Sequence, residues 1–214
     1  MRMLYVVCDA HADALPWALR ALERYWPDCP YPVQIARNEA SFDLSFLSRV
    51  PTYLNMGADD GWVGNMRRLA RMLDEPVLLM LEDYLICDVC PRLMEVCQTA
   101  VTSGSAGMVR VVPMPGPTDA YDDDLGIIRH NAHYAVSLQA AMWAPDVLAR
   151  IADAVWEAGG RSAWDFERFG SRLASEIGLP PFLGSWRPAM DYHNYYRLHH
   201  KMSRVQTWID NNLR

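Results

Sequence analysis

The chain has 214 residues, of which 51% are hydrophobic and 21% are charged. This composition excludes a disordered protein, a collagen and a small disulfide-stapled domain, and the length suits one well-filled core. Acidic residues outnumber basic ones by 26 to 20, which gives a formal net charge of -6. The acidic balance disfavours a dedicated nucleic-acid-binding protein, because such proteins usually carry a basic surface.

The N-terminal segment predicts a soluble, cytoplasmic protein. Residues 4–7 form an apolar stretch that is too short for the core of a signal peptide, and Asp9 follows almost at once. No apolar run approaches the roughly 20 residues that are needed to cross a bilayer.

The five cysteines cannot all pair, and an odd count suits a reducing compartment. We therefore expect free thiols that act mostly as small buried hydrophobic residues. A zinc site is the alternative, because Cys87 and Cys90 have the spacing of metal ligands. A structural zinc site needs a second pair at comparable spacing, and the candidates for it are His130 and His133.

Apolar periodicity in the first half predicts strands that alternate with helices. The predicted strands cover residues 4–7, 32–36, 52–55, 77–81 and 108–112, and the predicted helices cover residues 15–26, 62–73 and 93–101. Val77 to Leu81 is apolar without alternation, which is typical of a parallel strand covered on both faces. The chain therefore predicts an α/β fold over residues 1–214, with a single Rossmann-like, mostly parallel sheet and helices on both faces.

The second half predicts two further helices and a hairpin. One helix begins at Pro145, and another begins after a capping box formed by Ser162 and Asp165. Residues 126–130 and 134–138 predict a β-pair. The segment of residues 113–124, rich in proline and aspartate, predicts a mobile loop, and the polar, aromatic tail of residues 192–214 is expected to be partly helical.

Two acids follow the apolar strand directly, in the run Leu81-Glu82-Asp83-Tyr84. Ligands bind beyond the carboxyl ends of strands in open α/β sheets. A carboxylate held there needs a cation or hydrogen-bond donors, and a divalent metal that bridges a nucleotide diphosphate would supply the cation. The alternative is a strand that ends in a solvated turn with ordinary surface acids.

The segment from Val77 to Ile86 resembles the Asp-x-Asp-type segment of small bacterial glycosyltransferases with the glycosyltransferase-A fold. The resemblance extends from about residue 4 to residue 170, and its first acid is Glu82 where those proteins have aspartate. Four further motifs match in order: Tyr5-Val-Val-Cys-Asp9, Trp62-x-x-Asn65, Ser137-Leu-Gln139-x-x-x-Trp143 and Ser162-Ala-Trp-Asp-Phe-Glu167.

This resemblance implies a metal-dependent glycosyltransferase that moves a sugar from a nucleotide diphosphate to a hydroxyl acceptor, with inversion. About residues 1–112 would form the nucleotide-sugar half, about residues 113–190 the acceptor and catalytic half, and residues 191–214 a C-terminal tail. Asp83 would coordinate manganese or magnesium, with Glu82 assisting. The acceptor would be a surface polysaccharide, a lipid-linked sugar or another hydroxyl-bearing molecule, which places the protein in polysaccharide or glycolipid biosynthesis.

The resemblance also implies roles for nine side chains besides the two acids. Glu167 would be the catalytic base, with Asp165 as the second candidate, although acids at a helix start are also favoured by the helix dipole. The donor would contact Asp9, His11, Trp62, Asn65, Gln139, Trp143 and Trp164. Five of them have a plain structural alternative: His11 as a loop residue, Gln139 as a strand end, and Trp62, Trp143 and Trp164 as aromatic rings that pack in the core.

Two basic clusters are candidates for contact with a diphosphate or with an anionic lipid carrier. Contact with an anionic lipid carrier would place the protein at the inner face of the membrane as a peripheral protein. A solvated charged face is the simpler interpretation of both clusters. The clusters comprise Arg67, Arg68 and Arg71 in the first half and Arg197, His199, His200, Lys201 and Arg204 in the tail.

Two other functions stay open at this point. A nucleotidyltransferase would need a glycine-rich phosphate loop near the first strand, and neither the Walker pattern nor Gly-x-Gly-x-x-Gly occurs. A non-catalytic protein of the same fold, which binds sugar or serves as a scaffold, is the other alternative. The donor sugar, its nucleobase, the acceptor, the choice between inversion and retention, the role of the residues after 170 and the oligomeric state are left open.

Overall fold

A computed structural model describes residues 1–197 and 200–213. The strands are β1 (Arg2–Val6), β2 (Val33–Arg37), β3 (Thr52–Asn55), β4 (Val77–Leu81), β5 (Tyr84–Val89), β6 (Met108–Arg110), β7 (Asp119–Ala120), β8 (Leu125–Ile128), β9 (Ala141–Trp143), β10 (Phe182–Ser185), β11 (Met190–Asn194), β12 (Tyr196–Arg197) and β13 (His200–Lys201). The helices are α1 (Leu15–Tyr25), α2 (Gly61–Met72), α3 (Pro91–Thr102), α4 (Pro145–Glu157), α5 (Ala163–Leu173) and α6 (Ser203–Asn212), with a short 3-10 helix at Asp9–Ala14.

Within the described ranges, nine strands form one sheet in the order β3-β2-β1-β4-β9-β6-β10-β8-β7. The strands of the first half pair in parallel, and β6 pairs in parallel with β10. The two strands that run against the others are β8 and β9. The prediction of a mostly parallel sheet is therefore confirmed, and β9 joins the two halves of the chain by lying between β4 and β6.

Helices cover both faces of the sheet, as predicted. Successive residues of a strand point to opposite faces. In β1, Met3 and Tyr5 therefore pack on the face covered by α1, α3 and α6, whereas Leu4 and Val6 pack on the face covered by α2, α4 and α5. Burial on both sides explains why β1 and β4 read as continuous apolar runs.

The predicted strand of residues 134–138 is wrong. Tyr134 has a φ of 56°, in the left-handed region, which interrupts an extended run. The amide and carbonyl of Val136 instead bond to the Ser171 hydroxyl on α5. The strand predicted at residues 126–130 exists as β8, but it pairs with β7 and β10.

The capping box of α5 is confirmed. The Ser162 hydroxyl accepts a hydrogen bond from the Asp165 amide at 3.1 Å, and the Asp165 carboxylate accepts one from the Ser162 amide at 2.9 Å. Both groups satisfy donors that a helix start would otherwise leave unpaired.

The tail is partly helical, as expected, and it also contains strands. β11 pairs antiparallel with β5, so the chain returns to the carboxyl end of β4 before α6 begins. Over the described residues, none of the helices combines the length and the apolar character that a membrane span requires.

Candidate active site at the carboxyl edge of the sheet

The carboxyl ends of β1 and β4 meet at one edge of the sheet, because the two strands pair in parallel with Val6 opposite Leu81. The segment that begins at Cys8 leaves β1 at this edge, and Glu82 and Asp83 form the turn that leaves β4. Glu82 is only 5% exposed. The alternative of ordinary acids in a solvated turn is therefore wrong for Glu82.

Glu82 faces the segment that follows β1. Its Oε1 lies 3.7 Å from Nδ1 of His11. Cys8 completes the group, and ligand atoms of all three residues lie within 4.8 Å of one another. The Glu82 carboxylate that faces the ring raises the pKa of His11, because it favours the protonated ring. Partial burial, together with the charges of nearby acids, raises the pKa of the Cys8 thiol.

The C-terminal tail covers Asp83. The amide of Tyr195 donates to the Asp83 carbonyl at 2.9 Å, and the amide of Tyr196 donates to Asp83 Oδ2 at 3.2 Å. Burial, and after it the charge of Glu82, raises the pKa of Asp83 to about 7. The carboxylate therefore lies at the edge of the sheet beneath a backbone segment that donates to it.

The covering segment is tethered to the segment after β1. The Tyr196 ring packs against the ring of His11, with centroids 4.4 Å apart. The Tyr196 hydroxyl donates to Asp13 at 2.7 Å, and Lys201 Nζ lies 2.5 Å from the same carboxylate. We call residues 195–201, as far as they are described, the covering segment.

Gln139 lies at the same edge, because β9 runs antiparallel to β4 with Ala141 opposite Leu79. Its side-chain oxygen accepts a hydrogen bond from the Tyr192 hydroxyl. The Tyr192 ring stacks on that of Tyr84, with centroids 4.2 Å apart. The predicted donor contact thus lies next to the acid pair.

The structure separates the two candidate bases. Oε1 of Glu167 accepts hydrogen bonds from the Leu138 amide at 2.7 Å and from the Ser137 hydroxyl at 3.2 Å, which places this carboxylate beside Gln139. Asp165 is the capping acid, and the Arg161 and Ser162 amides lower its pKa. Asp165 is therefore explained by the helix cap alone.

Two predicted donor contacts organise loops at this edge. The Asp9 carboxylate accepts hydrogen bonds from the amides of Glu39 and Ala40, at 3.3 and 3.1 Å. Asn65 is buried and bonds to Asp59 through its side-chain amide nitrogen at 2.8 Å. Both side chains therefore fix loops that surround the site through hydrogen bonds.

The predicted tryptophans lie in three different environments. Trp62, at the start of α2, packs on the Phe166 ring, with centroids 4.9 Å apart. Trp164 is 55% exposed at the start of α5. Trp143 pairs with Val77 at the amino end of β4, away from the acid pair, and is buried. Trp143 is therefore a core residue, and we withdraw it as a donor contact.

The basic cluster of α2 is engaged within the chain. Arg67 Nε and Arg71 Nη2 each lie 2.7 Å from Asp153 of α4. Arg68 donates to the carbonyl of Ala58. The charges of this cluster join α2 to α4 and to a neighbouring loop, and the Arg71 side chain, which is 51% exposed, also faces solvent.

The basic residues of the tail cluster lie in different environments. Lys201 pairs with Asp13, and His199 lies outside the described residues. Arg197 and Arg204 line a cleft of about 340 Å³ that also contains Gln139 and Tyr192. Tyr196, whose amide donates to Asp83, also lines this cleft, and Asp191 lies in its wall together with the two arginines.

All five cysteines are free, as expected. Cys29 and Cys97 are buried, but Cys8 is exposed, so the interpretation as a small core residue is wrong there. The alternative zinc site at Cys87 and Cys90 is not formed within the part of the chain that the structure describes. One of its proposed partners, His130, instead bonds to the Pro180 carbonyl and packs on an aromatic ring.

Sequence reasoning missed three kinds of residue at this edge. Cys8 follows an apolar strand directly, as Glu82 does, and the same argument could have found it. Tyr192 and Tyr196 reach the site through long-range pairing that no local pattern reveals. Arg110 is buried and donates to the carbonyls of residues 115, 134 and 135, which fixes the chain beside Glu167.

Comparison with solved structures adds evidence about the fold. UDP-glucose pyrophosphorylase complexed with UDP-glucose superposes with a TM-score of 0.52 at 8% identity, over 90% of this chain and 93% of that chain. UTP-bound UGPase from Acinetobacter baumannii gives 0.51 at 10% identity over both full chains. S. aureus TarS 1-349 in complex with UDP-GlcNAc gives 0.54 at 13% identity, over 95% of this chain and 61% of that one.

The chain shares the fold of these proteins. No protein-family model and no curated protein sequence matches it. The neighbours include proteins named for UDP-glucose pyrophosphorylase activity and a protein that holds UDP-GlcNAc, so the likeness covers more than one kind of nucleotide-sugar protein.

Proposed function

We propose that the protein is a metal-dependent glycosyltransferase that uses a nucleotide-sugar donor. The observation that carries this proposal is the acid pair of Glu82 and Asp83, held at the carboxyl edge of the sheet against the segment that follows β1. Ligands of open α/β sheets bind at this edge. The likeness to proteins complexed with UDP-glucose and UDP-GlcNAc supports the same class of donor.

The residues at this edge fit a divalent cation. Glu82 is buried and its charge helps to raise the pKa of Asp83, and a cation would offset the repulsion between these two neighbouring carboxylates. Glu82 and Asp83 would hold manganese or magnesium. When bound, the ion would neutralise negative charge on the leaving diphosphate.

The chain's own side chains would orient the substrates. Gln139, fixed by Tyr192, would bond to the donor sugar, and the cleft beside it would receive the acceptor. In an inverting transfer, Glu167 would take the proton of the acceptor hydroxyl as that oxygen bonds to the sugar and the diphosphate leaves. The Leu138 amide fixes Oε1 of this carboxylate, and Oε2 has no hydrogen-bond partner within the described ranges.

A nucleotidyltransferase is the second candidate, favoured by the superposition on UDP-glucose pyrophosphorylase over nearly the whole chain. The segment after β1 argues against it. Residues 8–14 contain no glycine, and Asp9–Ala14 form a short 3-10 helix. A glycine-rich loop, whose backbone amides can approach the phosphates of a nucleoside triphosphate, is therefore missing at this position.

The test is a panel of nucleotide sugars with and without Mn²⁺, assayed for release of nucleoside diphosphate. We expect metal-dependent release from one donor and its loss in Asp83→Asn, with wild-type rates in the matched surface control Asp123→Asn. Formation of a nucleotide sugar from a nucleoside triphosphate and a sugar phosphate would establish the second candidate instead. Binding without turnover of any donor would support a non-catalytic protein.

The role of Glu167 has its own test. Glu167→Gln keeps an oxygen that accepts from the Leu138 amide but removes the base, so nucleotide binding should persist while transfer slows by about 10²- to 10⁴-fold. Glu176→Gln, an exposed change of the same type, is the control. Equal loss of binding and transfer in Glu167→Gln would show that the residue only supports the fold.

A further inference from the structure

We propose that Cys8, His11 and Glu82 form a binding site for a transition metal of the zinc type. The three side chains come from the segment after β1 and from the end of β4. They supply one sulfur, one nitrogen and one oxygen ligand, and the fourth tetrahedral position is open. This site shares Glu82 with the proposed function but does not depend on it.

The geometry is close to that of a bound ion. Tetrahedral zinc, with bonds of about 2.0–2.3 Å, holds its ligand atoms roughly 3.3–3.8 Å apart. His11 Nδ1 and Glu82 Oε1 are already 3.7 Å apart, and all three ligand atoms lie within 4.8 Å of one another. Side-chain adjustments of about 1 Å therefore complete the site without movement of the strands.

The donor set selects the metal. A thiolate and an imidazole suit zinc and its transition-metal neighbours, whereas magnesium takes oxygen ligands. Three protein ligands with one open position is the arrangement of catalytic zinc sites. On binding, Cys8 loses its Sγ proton to solvent, His11 binds as neutral imidazole and Glu82 binds as carboxylate.

Contacts within the chain already fix the positions of these ligands before a metal binds. The His11 amide donates to the Cys8 carbonyl at 2.9 Å, which fixes the turn between the two ligands. The His11 ring packs on Tyr196, whose hydroxyl donates to Asp13. Fixed ligand orientation of this kind raises metal affinity.

The surrounding charge also favours a cation. Glu82 is buried at the end of β4, where a carboxylate without a cationic partner is costly. The negative charges of Glu82, Asp59 and Asp9 all act on the Cys8 thiol. A divalent ion would neutralise a local excess of negative charge that His11 alone offsets only in part.

The direct experiment titrates metal-stripped protein with Zn²⁺ in competition with a chromogenic chelator. We expect one tightly bound equivalent per chain, and an affinity at least about 100-fold weaker in Cys8→Ser, because the loss of a direct ligand costs at least as much as the loss of an outer-shell partner. His11→Gln should weaken binding similarly. Cys90→Ser is the matched control, because serine suits this position at the start of α3 and the thiol lies outside the site.

Substitution with Co²⁺ gives a second readout. Wild-type protein should show a thiolate-to-cobalt charge-transfer absorption that Cys8→Ser lacks and Cys90→Ser retains. Equal Zn²⁺ affinity of wild type and Cys8→Ser, or the absence of a stoichiometric Zn²⁺ equivalent, would overturn the proposal. Far-UV circular dichroism verifies that each variant is folded.

The two proposals fail separately. If zinc does not bind but nucleotide sugars bind with Mn²⁺, the three-residue site is wrong and the proposed function stands. If zinc binds through Cys8 and no nucleotide sugar binds under any metal condition, the metal site stands and the proposed function is wrong.

Discussion

The carboxylate of Asp83 lies between a negatively charged neighbour, Glu82, and the backbone of the covering segment. The folded chain therefore holds a proton on Asp83 up to a pKa of about 7, whereas the unfolded chain releases it near the ordinary value of 3.8. Since the folded state binds more protons between these two values, the contribution of Asp83 to stability is full below about pH 3.8, falls as pH rises, and is lost above about pH 7.

The variant Asp83→Asn has no such proton to lose. In buffer with a chelator, its Tm relative to wild type should therefore increase between about pH 5 and about pH 8, because only the wild type is destabilised by ionisation in that window. Thermal unfolding followed by circular dichroism measures the difference. A difference that is constant with pH would show that Asp83 is ionised at both pH values, and the surface change Asp123→Asn gives the baseline.

At the scale of secondary-structure elements, the sequence predicted those strands, helices and caps that depend on residues close together in the chain. The apolar runs of β1 and β4, the amphipathic helices and the capping box at Ser162 are each specified within a few residues. β9 and β10 are only three and four residues long, too short for periodicity to show. β5 begins directly after the acid pair, and the sequence analysis assigns its first residues to the metal-binding motif instead of to a strand.

The covering segment escaped prediction because its contacts are long-range. The hydrogen bond from Tyr196 to Asp83 joins residues 113 positions apart, and the one from Tyr196 to Asp13 joins residues 183 apart. No spacing rule reaches that far. The acid pair was predictable from its strand, whereas the group that covers it was not.

The cap of α5 allows a test at this scale. Ser162→Ala removes the side chain that accepts from the Asp165 amide, and should lower the free energy of unfolding by about 1 kcal/mol. Ser162→Thr keeps an acceptor and should recover most of that loss. Urea unfolding of the three proteins gives the comparison. An unchanged midpoint in Ser162→Ala would mean that water replaces the cap at no cost.

At the scale of the whole molecule, one edge of the sheet collects segments that are distant in the chain. Residues 8–11, 82–83, 137–139 and 192–196 meet there because β1, β4, β9 and β11 all reach it. Both predicted halves contribute to one sheet, so the candidate site exists only when the entire chain is folded. A ligand that binds this edge should therefore stabilise the whole fold.

Stabilisation by a nucleotide is the corresponding prediction. Uridine or guanosine diphosphate with Mn²⁺, at 100 times its Kd, should stabilise the folded chain by about 2.7 kcal/mol, because it binds only the folded state. Differential scanning fluorimetry measures the shift, with Asp83→Asn expected to reduce it and Asp123→Asn expected to leave it unchanged. An identical shift for wild type and Asp83→Asn would move nucleotide binding away from the acid pair.

The central claim is that a metal ion and a nucleoside diphosphate bind together at the carboxyl edge of β1 and β4. A crystal structure of the protein with uridine diphosphate and Mn²⁺, with the ion located by anomalous scattering, tests it most directly. The account predicts an anomalous peak in contact with Glu82 or Asp83 and with the diphosphate oxygens. A nucleotide bound at another surface, with both acids free of metal and ligand, would contradict it.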